Sequence, residues 1–232
     1  MEKYEEIERA LIKNCRKGVW RKFVKCINEY KMMNEGDRVA ALIDGTARSM
    51  TMAKCIQEIH RHGKFTFELK FIRPSSKKEI EDIASAMNVP LEFVEIEAAA
   101  WARNKGYNKL ALCDCFDDVI ETILVNLIKK GEIKTPLPAD KVTYDGVEII
   151  RPMYNVKEKD INAFAKRCEI DFVPYKEENG DVKELIKRFR KTNTYIEKNI
   201  LSSVHDVNLE TLIGYHKGGY AYNFLDDYDE RG

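Results

Sequence analysis

Apolar and polar positions follow two different periods along this chain, and the two periods alternate from segment to segment. Alternating or continuous apolar runs predict strands at 38–43, 65–72, 91–96, 109–113 and 147–151. Apolar residues spaced by three or four positions predict helices at 49–62, 76–88, 97–105, 115–130 and 157–168. A strand followed by a helix, repeated in this way, predicts an α/β fold: a parallel sheet with helices on both faces.

The two ends of the chain lack this alternation. Residues 3–32 predict one or two amphipathic helices interrupted near Gly18, and residues 179–214 are predicted to be helical. A short strand is expected at 170–173, and the last eighteen residues, rich in Gly, Tyr and Asp, are expected to be loose. We therefore divide the chain into an N-terminal helical segment, an α/β domain and a C-terminal helical segment with a loose acidic tail. Their bounds are 1–34, 35–178 and 179–232.

Charge and composition narrow the class of protein. The chain has 232 residues with 39 basic and 39 acidic side chains, so its total charge does not favour strong nonspecific binding to nucleic acid. Basic residues do concentrate at 9–31 and 183–198, where they either flank an RNA or form solvated helix faces. The N-terminus is unlike a signal peptide, no apolar run is long enough for a membrane helix, and six scattered cysteines fit a reducing cytoplasm.

The end of the first predicted strand has the layout of a phosphate-binding loop. An apolar run ends at a turn containing Gly45, and a helix follows, so that backbone N–H groups face an anion. We predict that the nucleotide site consists of Asp44, Gly45, Thr46, Ala47, Arg48 and Ser49. The loop is unusual because it has one glycine and no lysine, and because Asp44 repels a phosphate. Arg48 offers a guanidinium in compensation.

The end of the fourth predicted strand carries the other candidate groups. If the first and fourth strands are neighbours, residues 44–49 and 113–118 face one crevice. Asp117 and Asp118 either stabilise a helix N-terminus or bind magnesium, so both are candidate metal ligands and catalytic groups. Cys113 and Cys115 are candidate catalytic thiolates, or else inert buried thiols. None of the four histidines has metal-ligand spacing.

Three sequence blocks, in order, resemble the PP-loop ATPase superfamily, and in particular its tRNA 2-thiocytidine synthetase family. The first, Asp44 to Ser49, resembles the loop motif S-G-G-K-D-S. The second, Ala111 to Thr122, resembles A-x-G-H-H-x-D-D-x-x-E-T. The third, beginning at Ile150, resembles I-R-P-L followed by V-x-E-K-D-I, and it suggests Arg151 and Lys159 as substrate-binding residues.

This resemblance implies a fold and an activity. The fold is a five-stranded parallel sheet of order 3-2-1-4-5. The family's enzymes bind ATP and magnesium, adenylate a tRNA base and replace its oxygen with sulfur, using an iron–sulfur cluster held by two C-x-x-C motifs. A tRNA or other nucleotide substrate and a homodimer are the expected partners, and no membrane is expected.

The motifs also depart from the family at its chemical groups. Ala47 stands at the loop's lysine position, Arg48 at its aspartate position and Asp44 at its first serine. Asp114 and Cys115 replace the paired histidines, and neither C-x-x-C motif is found. We therefore predict ATP and magnesium as cofactors without an iron–sulfur cluster. Three functions stay open: an enzyme with altered or lost thiolation chemistry, a non-catalytic binding module, and a metal-dependent enzyme that uses the acidic crevice.

Overall fold

The computed structural model describes residues 2–144, 146–176, 178–226 and 228, with only the backbone of residues 142–144. The helices are α1 Lys3–Arg9, α2 Arg21–Glu29, α3 Ala47–His62, α4 Lys78–Ala86, α5 Ala98–Asn104, α6 Phe116–Val125, α7 Glu158–Cys168, α8 Gly180–Thr192 and α9 Ile196–His205. The strands are β1 Arg38–Leu42, β2 Glu68–Arg73, β3 Leu91–Phe93, β4 Lys109–Ala111, β5 Ala139–Tyr144, β6 Val147–Ile150, β7 Gly214–Lys217 and β8 Tyr220–Asn223. Within these residues, no helix is long and apolar enough to cross a membrane.

The central sheet has six strands in the order β3-β2-β1-β4-β6-β5. All neighbouring pairs are parallel except β5 and β6, which are antiparallel. The predicted α/β class and the order of the five parallel strands are confirmed, because β6 is the predicted fifth strand. The antiparallel edge strand β5 was missed, since residues 139–144 show no clear alternation of apolar and polar side chains.

Both faces of the sheet are covered because apolar side chains alternate along the central strands. Val39 and Ala41 of β1 point into a core shared with α3, α6 and α7, whereas Ala40 points into a second core against Trp101 of α5. The N-terminal helices pack into the first of these cores through side chains such as Phe23.

The N-terminal segment is more irregular than predicted. Between α1 and α2 the backbone forms two π-helical turns, Ala10–Asn14 and Arg16–Trp20. Gly18 lies in the second turn, where an added Cβ would come within 2.9 Å of the Asp160 side chain. A larger residue at position 18 would therefore displace the Asp160 side chain, which pairs with Lys22.

The C-terminal prediction was partly wrong. Helices α8 and α9 cover most of 179–214, but the chain then forms the antiparallel hairpin β7–β8 instead of a loose segment. Tyr215 and Tyr222 stack across this hairpin. The expected strand at 170–173 is absent from the described residues, and only Val173 forms an isolated bridge, to Thr46. Most of the acidic tail lies outside the described residues.

Candidate active site

The predicted phosphate loop connects β1 to α3 at the carboxyl end of the sheet. Gly45 has a φ of +82°, a left-handed conformation that favours glycine. Thr46 is the N-cap of α3, and its side-chain oxygen accepts a hydrogen bond from the Ser49 N–H. The loop thus has the strand–turn–helix geometry that the sequence predicts.

The carboxylate of Asp44 closes this loop on itself. Its Oδ1 accepts hydrogen bonds from the Thr46 N–H at 3.0 Å, the Thr46 hydroxyl at 2.7 Å and the Ser49 hydroxyl at 2.6 Å. These are the kinds of donor that a phosphate-binding loop offers to its ligand. In this structure the Asp44 carboxylate, which belongs to the chain itself, accepts hydrogen bonds from these donors.

Arg48 is buried and points away from the loop, towards α6 and α7. Its guanidinium donates to Asp118 at 2.5 Å and to Glu158, and only 4% of its side chain is exposed. Burial by itself lowers the pKa of Arg48, but the carboxylates of Asp118 and Glu158 raise it overall. Arg48 is therefore a permanent cation that joins three helices.

Asp117 and Asp118 occupy the first turn of α6, and both are engaged by the protein. Asp118 accepts from the backbone N–H of Cys115 at 2.8 Å in addition to its ion pair with Arg48. Asp117 accepts from the N–H of Glu158 at 2.7 Å and from Arg190 at 3.0 Å. The roles of Asp117 and Asp118 as metal ligands and catalytic groups stay predictions.

Cys113 and Cys115 lie beside these carboxylates, at the end of β4. Cys115 is fully buried and Cys113 is half-buried. Burial raises the pKa of both thiols well above the usual value, and the nearby aspartates raise it further. Both groups are therefore protonated thiols at neutral pH, although their predicted catalytic role is not tested by this geometry.

A segment after α7 lies directly over the loop. The Val173 N–H donates to the Gly45 carbonyl at 3.0 Å, and a Cβ on Gly45 would come within 2.8 Å of the Val173 side chain. The ring of Tyr175 stacks on the Arg48 guanidinium at 3.5 Å, and its hydroxyl contacts Asp118 at 3.3 Å. Residues 173 and 175 thus cover the loop and its arginine.

The two predicted substrate-binding residues lie at different places. Arg151 is bound to Asp114 at 2.8 Å and to the carbonyl of Leu137. Lys159 lines an open cleft of about 420 Å³ together with Lys157, Arg190, Asp117 and other residues of α7 and α9, and its side chain is exposed. Their roles as substrate-binding residues stay predictions.

Sequence reasoning missed the partners that hold the loop arginine. Neither Glu158 nor Tyr175 was predicted from the sequence to contact Arg48. The available signal was the reversed charge at position 48: a cation in a position of low exposure requires an acidic partner. The chain separates that partner from Arg48 by 110 residues, so only the fold brings them together.

The loop lies at the carboxyl end of the first strand of a mostly parallel sheet and opens a helix, as in the class of doubly wound α/β proteins. Residues 31–191 match the PP-loop domain family, and the chain belongs to that family.

Curated relatives match over most of their length. The tRNA-cytidine(32) 2-sulfurtransferase of Citrifermentans bemidjiense is 26% identical over 229 residues, covering 82% of this chain and 90% of that protein. The same enzyme of Coxiella burnetii is 23% identical, covering 82% and 89%. Among solved structures, the U34-tRNA thiolase NcsA of Methanococcus maripaludis is similar in fold, with a TM-score of 0.63 and 14% identity, over 85% of this chain and 80% of that one.

The NcsA structure corrects one prediction. That thiolase was solved with its [4Fe-4S] cluster, so the prediction that this chain lacks an iron–sulfur cluster is wrong. Within the described residues, no group of three or more His, Cys, Asp or Glu side chains is arranged to hold a metal ion. The described cysteines are therefore not assigned as cluster ligands.

Proposed function

We propose that this protein acts on tRNA, like the sulfurtransferases to which it is similar, with a phosphate loop whose ATP chemistry is altered. The relatives named as tRNA-cytidine(32) 2-sulfurtransferases support the substrate class. The alteration is supported by one observation above all: the Asp44 carboxylate accepts three hydrogen bonds from the loop.

The energetic argument follows from these hydrogen bonds. A phosphate that enters the loop must displace Asp44 from the Thr46 N–H and the two hydroxyls, and it must then tolerate a carboxylate nearby. A hydrogen bond to a charged group contributes about 1.5–3 kcal/mol, so each loop donor that stays with Asp44 weakens phosphate binding about 10- to 100-fold. With Ala47 at the lysine position, the loop has no lysine to offset this competition.

Arg48 does not supply the missing charge in this arrangement. Its two terminal nitrogens donate to Asp118 and Glu158, and Tyr175 covers its face. A nucleotide therefore gains little from Arg48 unless these interactions first break. The proposal therefore includes only weak binding of an adenine nucleotide at residues 44–49.

A second candidate is a non-catalytic module that binds tRNA. The same closed loop favours it, together with the raised pKa of the Cys113 and Cys115 thiols, because a protonated thiol is a poor sulfur carrier. No contact favours the metal-dependent enzyme to the same degree within the described residues, since Asp114 is paired with Arg151 and Asp44 with its own loop.

The test measures nucleotide binding and turnover in parallel. Calorimetry with ATP and magnesium compares the wild type with Asp44→Ser, which restores the serine of the family motif. We expect no binding by the wild type below millimolar ATP and measurable binding by the variant. Asp226→Ser is the matched control, because Asp226 also accepts a backbone N–H but in the distant hairpin.

Two further measurements separate the alternatives. Retention of tRNA by the wild type supports the substrate class, and its absence contradicts both tRNA-based candidates. Rapid pyrophosphate release from ATP by the wild type, in the presence of tRNA, would overturn the altered-chemistry proposal. Turnover that survives Cys113→Ser combined with Cys115→Ser removes these thiols as sulfur carriers.

A further inference from the structure

The N-terminal helical segment carries two rows of side chains that have the same spacing. The residues of the buried row recur at every fourth position: Ile7, Leu11, Cys15, Val19, Phe23 and Ile27. The residues of the exposed row also recur at every fourth position, and all are cationic: Arg9, Lys13, Lys17, Arg21 and Lys25. Each of these cations lies midway between two residues of the buried row, so the cations face solvent on the side opposite the core. We call the exposed row the basic stripe.

The two π-helical turns keep the basic stripe straight. In a regular α-helix, with 3.6 residues per turn, positions four residues apart drift by about 40° per step. Over the four steps from Arg9 to Lys25, a drift of about 160° would spread the cations around almost half of the helix. A π-helical turn holds more residues, so the turns Ala10–Asn14 and Arg16–Trp20 reduce this drift. Packing of the buried row accounts for these turns, but it does not require a cation at every exposed step.

The basic stripe has almost no acidic partner. Within the described part of the chain, four of its five cations form no ion pair, and Lys25 pairs only with the exposed Glu29, at 3.7 Å. The sequence contains no Asp or Glu from 9 to 28. A solvated helix face without a partner commonly mixes both signs of charge. A row of one sign, with its charges unpaired, therefore indicates a partner that is a polyanion.

The basic stripe adjoins the candidate active site through α7. Asp160 of α7 pairs with Lys22 at 2.8 Å and lies against Gly18, so α7 contacts the middle of the N-terminal segment. Two residues earlier on the same helix, Glu158 holds the guanidinium of Arg48. A polyanion that lies along the stripe is therefore held next to the helix that reaches the loop arginine.

We propose that the basic stripe binds the phosphate backbone of a double-helical part of an RNA substrate and positions that substrate beside α7. At a rise of 1.5 Å per residue the stripe is up to about 24 Å long, which spans several phosphates. It has no aromatic side chain on which an unpaired base could stack, whereas contacts to double-stranded RNA are made largely to the backbone.

Charge and burial favour RNA over a membrane surface. A helix that lies in a membrane interface buries its apolar face in lipid. Here the apolar row is already packed in the protein core, and only cations remain for contact. The identification of the RNA as a tRNA rests on the proposed function, but the location of the surface rests on the stripe alone.

The test compares RNA binding by the whole chain in two matched triple variants. The stripe variant replaces three successive cations of the stripe: Lys13→Gln, Lys17→Gln and Arg21→Gln. The control variant replaces three exposed cations that lie in or just after α5 and α6: Arg103→Gln, Lys105→Gln and Lys130→Gln. Both variants lose two lysines and one arginine, and thermal unfolding checks that both stay folded. Fluorescence anisotropy measures the binding of a tRNA transcript, an RNA duplex of unrelated sequence and a single-stranded RNA, between about 50 and 200 mM salt.

We expect the wild type and the control variant to bind the tRNA and the duplex with equal affinity, and the single strand more weakly. The stripe variant should bind the tRNA and the duplex at least about tenfold more weakly at the lowest salt. Each phosphate contact adds roughly one to the slope of log affinity against log salt, so this slope should become shallower by about 2–3 in the stripe variant.

Four outcomes would contradict the proposal or the function on which it draws. If the wild type binds tRNA and the stripe variant binds it as the control does, the stripe is not the binding surface, while the proposed substrate class stands. Stripe-dependent binding that favours the single strand would overturn the double-helical partner. Binding of the unrelated duplex without binding of tRNA would contradict the proposed function alone. If neither RNA binds, but vesicles of anionic lipid bind in a stripe-dependent manner, the partner is a membrane surface and the proposal is wrong.

Discussion

The two ends of helix α3 differ in how the protein satisfies their polar groups. At its N-terminus the Asp44 carboxylate engages the loop donors, and Asp118 and Glu158 hold the guanidinium of Arg48. Nine residues further along, Gln57 has a buried oxygen without a donor among the described residues, beside an open cavity. The family motif lies at the first end, whereas the unmet hydrogen bond lies at the second.

This contrast shows that a family motif and an unsatisfied buried polar group are separate features of one helix. A loop that supplies its own anion is stable without a ligand, because its donors are already paired. A buried acceptor without a donor gains free energy when a ligand provides one. Substitutions at each end of α3 test this difference through the change they cause in the free energy of unfolding.

The largest expected effect on stability is at the N-terminal end of α3, where the loop donors and Arg48 are paired within the chain. Arg48→Met leaves Asp118 largely buried and without its cation, so we expect a loss of about 3–5 kcal/mol in the free energy of unfolding. Urea denaturation measures this change. Lys25→Ala is the control, since the Lys25–Glu29 pair is exposed and should contribute less than about 0.5 kcal/mol. An equal, small effect of both substitutions would contradict a structural role for Arg48.

The next effect depends on pH. Burial raises the pKa of Glu197, but hydrogen bonds from Lys157 and Arg190 outweigh it and lower that pKa below 4.5 overall. Because the folded-state pKa is depressed, this stabilisation is present above about pH 4.5 and is lost as the pH falls through the folded value. Glu197→Gln should therefore cost about 1.5–3 kcal/mol at pH 7 and progressively less below pH 4.5.

Denaturation series at pH 7, 5, 4 and 3 check this prediction for both proteins. A stability difference that stays constant between pH 7 and pH 3 would show that Glu197 does not act through its charge. Arg190 donates to Asp117 as well as to Glu197. Glu197 is therefore part of the same ion-pair network as the first turn of α6, which lies beside Arg48.

A matched glycine pair tests the cover over the loop. Gly45 and Gly36 both have left-handed φ values, +82° and +78°, but of the two only Gly45 has a neighbour within 4 Å of an added Cβ. Gly36→Ala should cost about 1 kcal/mol for its backbone conformation, and Gly45→Ala about 1–3 kcal/mol because Val173 must also move. Thermal unfolding compares the two. Equal losses of stability in the two variants would indicate that the segment at Val173 moves at little energetic cost.

The smallest effect on stability is expected further along α3, at Gln57. Gln57→Met removes an unpaired acceptor together with one hydrogen bond to Asn88, an exposed residue whose carbonyl water can then satisfy. We expect a change in unfolding free energy within about 1 kcal/mol, of either sign. A loss near that of Arg48→Met would mean that Gln57 is a structural residue, and the contrast between the two ends would fail.

The sequence predicted elements that depend on local periodicity better than strands that depend on a distant partner strand. Apart from β5, the strands and helices between 38 and 168 followed from local periodicity, because each buries apolar side chains at regular spacing. The edge strand β5 and the hairpin β7–β8 were missed, since edge and surface strands carry weak periodicity and depend on a partner strand. The assumption that an isolated apolar stretch at 170–173 forms a strand failed for the same reason.

The candidate site divides in a similar way. The sequence by itself determined the family, the position of the loop and its altered residues Asp44, Ala47 and Arg48, because the motifs and their spacing can be read directly along the chain. The folded loop shows that Asp44 binds donors only two and five residues away, and only the tertiary structure decided that Glu158 and Tyr175 hold Arg48. It also revealed the unpaired oxygen of Gln57. Hydrogen-bond partners far apart in the chain meet only after the sheet has brought their elements together.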